Sequence, residues 1–171
     1  MSRMGEIDNS NLFLSVIHSN KGILYKVVNS YCKNVEDRKD LVQEIIVQLW
    51  RSFDNYDNSF KHSTWIYRIS LNVAISFYRK ENIRKKIANP LTESIFNFPD
   101  DDIIDNESDL GVLKQMISQL NDLDKALMLL YLEEKSYKEM ALIIGISESN
   151  VATKINRIKN NFKEKFIQLK K

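Results

Sequence analysis

FKHSTWIYRISLNVAISFYRKENIRKK, residues 60–86, is the stretch on which the reading of the chain turns. At 100° per residue, Trp65, Ile66, Ile69, Val73 and Phe77 share one helical face, enough to bury against a core. Arg68, Asn72, Ile75 and Arg79 form a second stripe, flanked by Tyr67, Leu71 and Tyr78. A basic run follows at Arg79, Lys80, Arg84, Lys85 and Lys86. Cations, an amide and aromatics on the outer side of one helix suit it to follow phosphates, touch base edges and stack on unpaired bases. The same residues also suit a solvated face of snorkelling Lys and Arg, so the rest of the chain has to decide.

The 171 residues include four glycines and two prolines, and the apolar periodicity is helical almost throughout. That predicts an all-α protein, either one medium domain or two small ones. Cys32 is the sole cysteine, so no internal disulfide can form, and two histidines make a structural zinc site implausible. The N-terminus, MSRMGEIDNSN, has no apolar signal-like core, and the longest wholly apolar runs, such as residues 126–132, fall far short of the roughly 20 residues a membrane span needs. A soluble, cytoplasmic protein without a membrane span is expected. The net charge of +2 conceals a segregation: residues 1–86 carry +5, residues 87–124 carry −8 and residues 125–171 carry +5. Two basic lobes joined by an acidic strap suggest two separate contacts with nucleic acid.

Residues 11–33 read as one helix, or as two broken near residues 20–22, with Leu12, Val16, Ile23, Leu24, Val27, Val28 and Tyr31 as core candidates. His18 reads as an ordinary histidine and Cys32 as a small hydrophobe. In EDRKDLVQEIIVQLWRSFDNYDN, the buried face is expected at Leu41, Val42, Ile45, Ile46, Leu49 and Trp50. Asp40, Gln43, Glu44, Gln48 and Arg51 lie opposite, with Val47 among them. A hydrophobe ringed by polar groups is the plan of a protein docking patch; a stray exposed valine would look the same. FDNYDN is turn chemistry. It leads into the polar loop Phe60, Lys61, His62, Ser63 and Thr64, where Ser63 is a candidate cap for the next helix. Beyond Ala88 the periodicity stops, and residues 87–110 read as a flexible acidic linker with apolar anchors at Ile95, Phe96, Phe98, Ile103 and Ile104. Its aspartates lack EF-hand spacing and a nearby histidine, so no metal or other cofactor is expected.

Helices restart near Leu110. One runs to Leu120, and a second, DLDKALMLLYLEEK, is apolar enough to be largely buried. The third opens with SYKE, where Ser136 and Glu139 have capping-box spacing, and continues through Met140, Ala141 and Ile144. Gly145 supplies a left-handed turn residue and Ser147 a cap for a last helix with Val151, Ile155, Ile158 and Phe162 on its apolar side. The pattern is a helix-turn-helix. Ser149, Asn150, Thr153, Lys154 and Arg157 point away from the apolar side, toward a major groove. A ligand-free αα-hairpin is the alternative; the capping, the Ala141–Gly145 spacing and the basic outer face together favour DNA binding.

The ordered set resembles a bacterial RNA polymerase sigma factor of the extracytoplasmic-function (ECF) kind, in the sigma-70 superfamily. DRKDLVQEIIVQLWR resembles the family's polymerase-docking stretch, FKHSTWIYRISLNVAISFYRK its −10-reading helix and preceding loop, and residues 117–166 its −35-reading domain. The resemblance implies a region 2-like helical bundle over residues 1–86, the acidic linker over 87–110, and a region 4-like helix-turn-helix domain over 111–171. Asp40, Gln43, Glu44, Val47 and Gln48 would dock on core polymerase, and Trp65 would move toward core support. Asn58, Ser59, Phe60, Lys61, His62 and Ser63 would hold a flipped base of the −10 element, with Arg68, Asn72, Tyr78 and Arg79 touching the same element. Ser149, Asn150, Thr153, Lys154 and Arg157 would enter the −35 major groove. The implied partners are the β′ clamp and β flap of core polymerase, promoter DNA and an anti-sigma factor. Ser149-Asn150 and Ser70-Leu71 depart from the family's commonest pattern, at positions that would bear on which promoter bases are read.

Two rival readings are a non-sigma helix-turn-helix regulator with an N-terminal sensing half, and an enzyme. No alternation of strands and helices around an acidic pocket supports a phosphate receiver. Two isolated histidines, one cysteine and no Gly-rich phosphate loop argue against catalysis.

Overall fold

Short polar caps and apolar stripes divide the described residues into eight helices. The computed structural model describes residues 2–88 and 109–169, with side chains for residues 9–84 and 109–169. The described residues fall into two compact units, Met1–Phe77 and Tyr78–Lys171. Most of the expected acidic linker, residues 89–108 with its apolar anchors, lies outside the described residues, as do the side chains of Lys85 and Lys86.

In the first unit, α1 (Ser2–Ser19) and α2 (Lys21–Tyr31) are separated at Asn20, where a break was expected, but α1 begins well before residue 11. Phe13, at 5% exposure, takes the core place expected for Leu12, which is 57% exposed. α3 (Val35–Phe53) starts where Asn34 accepts a hydrogen bond from the Asp37 amide at 2.7 Å, and Glu36 and Asp37 sit at the positive end of its dipole. Leu41, Ile45 and Leu49 are fully enclosed, each burial worth about 1.5–3 kcal/mol. Trp50, expected in the core, is 44% exposed; one edge of its ring is retained against Phe13, at 5.0 Å between centroids. Phe13 also meets Phe53, and Phe53 meets Trp65, so aromatic contacts run from α1 through α3 to α4.

α4 (His62–Ala88) begins one residue before Ser63, so Ser63 lies inside the first turn and does not cap the helix. Its buried face also differs from the expected one. Ile66, Tyr67, Ser70, Leu71 and Ala74 are enclosed, while Trp65, Ile69, Val73 and Phe77 are half-buried. The true face is rotated by about one residue, roughly 100°. Its centre is the small pair Ser70 and Ala74, both at 0% exposure, which a count of large hydrophobes overlooks.

The second unit contains α5 (Asp109–Ser118), α6 (Asp122–Leu132), α7 (Tyr137–Ile144) and α8 (Glu148–Leu169). Asn121 caps α6 by accepting from the Asp124 amide at 2.9 Å. Glu134 turns the chain after α6 with a left-handed backbone (φ 56°), and α7 opens with the expected capping box between Ser136 and Glu139. Gly145 closes α7 at φ 81°, as the spacing requires, and Ser147 accepts from the Asn150 amide at 3.2 Å to start α8. Met140 and Ile143, rather than Ile144, carry α7's buried face against Val151, Ile155 and Ile158 of α8.

Candidate nucleic-acid and polymerase interfaces

The α3 surface is built by period. With Leu41, Ile45 and Leu49 inward, Asp40, Gln43 and Glu44 are exposed, Gln48 is half-exposed and Val47 is 41% exposed. Gln48 donates from Nε2 to Glu44 at 3.2 Å, tying two polar members of the ring around Val47 to each other. The surface thus offers one apolar contact framed by carboxylates and amides, a plan suited to a protein partner.

The loop between α3 and α4 is tightly tied. The Phe60 amide donates to the Asp57 carbonyl at 3.2 Å and the Ser59 amide to the Asp57 carboxylate at 2.9 Å. The backbone amide of Ser59 holds the Asp57 carboxyl below the usual carboxylate range. Tyr56 lays its ring on His62 and donates its hydroxyl to the Phe60 carbonyl. Asn58, Ser59, Phe60, Lys61 and His62 are all exposed, and Ser63 is half-exposed. Arg68 and Asn72 continue outward along α4, one turn apart. Ser70 and Leu71, at 0% and 1% exposure, are core residues.

Within the second unit, Arg79 donates from Nε to Asp122 at 2.8 Å while its side chain stays 65% exposed. Tyr78 is half-buried, with the Lys125 ammonium 5.2 Å from its ring centroid. On α8, Ser149, Asn150, Thr153 and Arg157 are exposed and Lys154 is half-exposed. Thr153 spends its hydroxyl on the Ser149 carbonyl at 2.9 Å. Arg157, expected toward the groove, is engaged within the fold: its Nη2 donates at 2.7 Å to Asp124, whose side chain is 7% exposed. The pair ties α8 to α6 and fixes the direction in which this guanidinium leaves the helix.

Sequence models of two segments match the chain: Sigma-70 region 2 over residues 16–83 and Sigma-70, region 4 over residues 110–161. Both come from one superfamily, in its chain order, and between them they cover most of the chain. The chain is a sigma factor of the sigma-70 superfamily.

This sigma factor is 25% identical over 161 residues to the ECF RNA polymerase sigma factor SigW of Bacillus subtilis (strain 168), covering 87% of this chain and 86% of that one. It is 29% identical over 141 residues to SigM of the same strain, covering 82% and 86%. Among solved structures, its fold is similar to CnrH in complex with the cytosolic domain of CnrY, at TM-score 0.65, 19% identity, and 93% and 90% coverage. It is also similar to the sigma factor RpoE in complex with the anti-sigma factor NepR from Bartonella quintana, at TM-score 0.60, 19% identity, and 92% and 95% coverage. The sigma factor binds core RNA polymerase and promoter DNA and directs promoter-specific initiation of transcription. The reading as a non-sigma regulator is not favoured, because region 2 occupies the half that a sensing domain would need. Sigma factors as a family are not enzymes. Among the described residues of this sigma factor, no helix is long and apolar enough to cross a membrane.

Sequence reasoning about the sigma factor passed over Tyr56 and Asp124. Tyr56 belongs to the FDNYDN turn, and its place six residues before His62 is the one local sign of its contact with the helix start. Asp124 lay inside a run read as apolar; its partner is 33 residues away, beyond any periodic pattern.

Proposed function

We propose that Asp40, Gln43, Glu44, Val47 and Gln48 on α3 form the surface that docks on the β′ clamp of core polymerase. The loop 58–63 then takes a flipped base of the −10 element, while Asn72 meets a base edge and Arg68 and Arg79 meet phosphates, with Tyr78 beside them. The N-terminal half of α8, through Ser149, Asn150, Thr153, Lys154 and Arg157, enters the −35 major groove, and the region 4-like domain, residues 111–171, meets the β flap. Residues 1–86 act as the docking and −10 domain, and the acidic segment 87–110 connects the two through polymerase channels that otherwise hold nucleic acid. An anti-sigma factor as a further partner is supported by the two related complexes. The protein acts in the cytoplasm and contributes binding, not catalysis.

The observation that carries this reading is the exposure of residues 58–62 together with Arg68 and Asn72, on a helix whose other side is closed into the core. Run-off transcription with purified core polymerase and a promoter pool tests it. Transcripts that depend on this protein and share two spaced upstream motifs are expected. No stimulation, alongside failure to bind core polymerase, would overturn it.

A further inference from the structure

We propose that Tyr56 is the positioning residue of the −10 loop, holding residues 57–60 in the conformation that receives the flipped base. The inference rests on the assignment of that loop to the −10 element and adds the residue that sets its shape.

Three contacts fasten Tyr56 in two directions. Its ring stacks on His62, with centroids 4.7 Å apart and planes 20° from parallel. It also meets Trp65 at 5.2 Å and 56°. Both partners belong to the first turn of α4, which is anchored immediately afterward by the enclosed Ile66 and Tyr67. The hydroxyl reaches the other way and donates to the Phe60 carbonyl, at the far end of the turn that the Asp57 carbonyl and carboxylate close. The side chain therefore spans from the rigid helix to the loop's distal backbone. Asn58 and Ser59 are exposed at the apex, and the loop's shape is fixed before any strand arrives.

A loop that must hold a base out of its stack benefits from such a brace, because each backbone residue left to be ordered on binding weakens the complex. The donor stays in place across ordinary pH. Burial, and then the neighbouring Asp57 charge, push the Tyr56 hydroxyl above its usual range, so it keeps its proton. Tyr56 touches no nucleotide in this account and acts through the carbonyl of Phe60.

Tyr56→Phe keeps the ring and its stacking and removes the donor. Full-length protein is assembled with core polymerase and titrated with a fluorescent single-stranded oligonucleotide carrying the −10 sequence returned by the promoter pool. A matched set then places one abasic nucleotide at each −10 position in turn. Tyr56→Phe is expected to bind the intact strand about fivefold more weakly, the cost of ordering on binding a stretch of loop that the hydrogen bond no longer holds. Core affinity and melting temperature should remain at the wild-type values. The deficit should vanish on the strand whose abasic site removes the base held by the loop. Wild-type affinity in the variant overturns the inference. So does a deficit that persists on every abasic strand, or one matched by a fall in melting temperature, since either marks a merely structural role. Wild-type holoenzyme that ignores the intact strand overturns the −10 assignment itself, before any variant is compared.

Discussion

Ser70 sits at the middle of the enclosed face of α4, at 0% exposure, and among the described residues its hydroxyl has no hydrogen-bond partner. A buried hydroxyl left unmet costs about 1–3 kcal/mol, whereas removing it while keeping the small shape restores nothing but an apolar contact. Ser70→Ala is therefore expected to stabilise the protein by about 1 kcal/mol, read as a higher midpoint in urea with an unchanged slope. A lower midpoint would reveal a hydrogen bond that the hydroxyl makes. The same residue shows where sequence reading reached its limit. At 100° per residue Ser70 lies opposite Arg68 and Asn72, yet a face chosen by its large hydrophobes passes over a small polar residue at its centre. Phe13 likewise enters the core where Leu12 was expected, and Trp50 stays 44% exposed with its ring against Phe13.

At the scale of elements, α7 and α8 were the most legible part of the chain, because their boundaries are written in local chemistry. Ser136 with Glu139, Gly145 and Ser147 each act within a few residues of their own position. Gly145 holds φ at 81°, and a Cβ added there would meet nothing within 4 Å. Gly145→Ala should thus cost about 1 kcal/mol from backbone conformation alone, a loss measurable by urea denaturation. The Asp124–Arg157 pair was not legible, being a long-range choice between two helices. Arg157→Ala leaves a nearly enclosed carboxylate without its cation. It is expected to lower stability by about 2 kcal/mol, discounted for the exposed guanidinium, as well as weakening binding to the upstream duplex. If calorimetry finds stability unchanged, the pair does not fasten α8 to α6.

Across the whole molecule, the charge pattern of basic, acidic and basic segments matched a two-unit chain with DNA-binding ends, and the order of motifs was enough to reach the family. The surfaces were less completely legible. Exposure on α3 and α8 follows from helical period once the buried face is known, but the shape of the 57–60 turn and its Tyr56 brace depend on where a loop folds back. Val47→Glu tests the α3 surface: placing a charge at the one apolar point of the patch should reduce core polymerase binding at least tenfold, on the order of 1.4 kcal/mol. Undiminished capture of core polymerase on a pull-down would remove α3 from the interface.

In the second unit, α6 packs on α5, α7 and α8, and α7 packs on α8, all within residues 109–169. Little loop entropy has to be lost before contacts form, which places this unit among the topologies that fold in microseconds to milliseconds. A newly made copy therefore closes this unit soon after its own residues have left the ribosome, without waiting for any distant part of the chain.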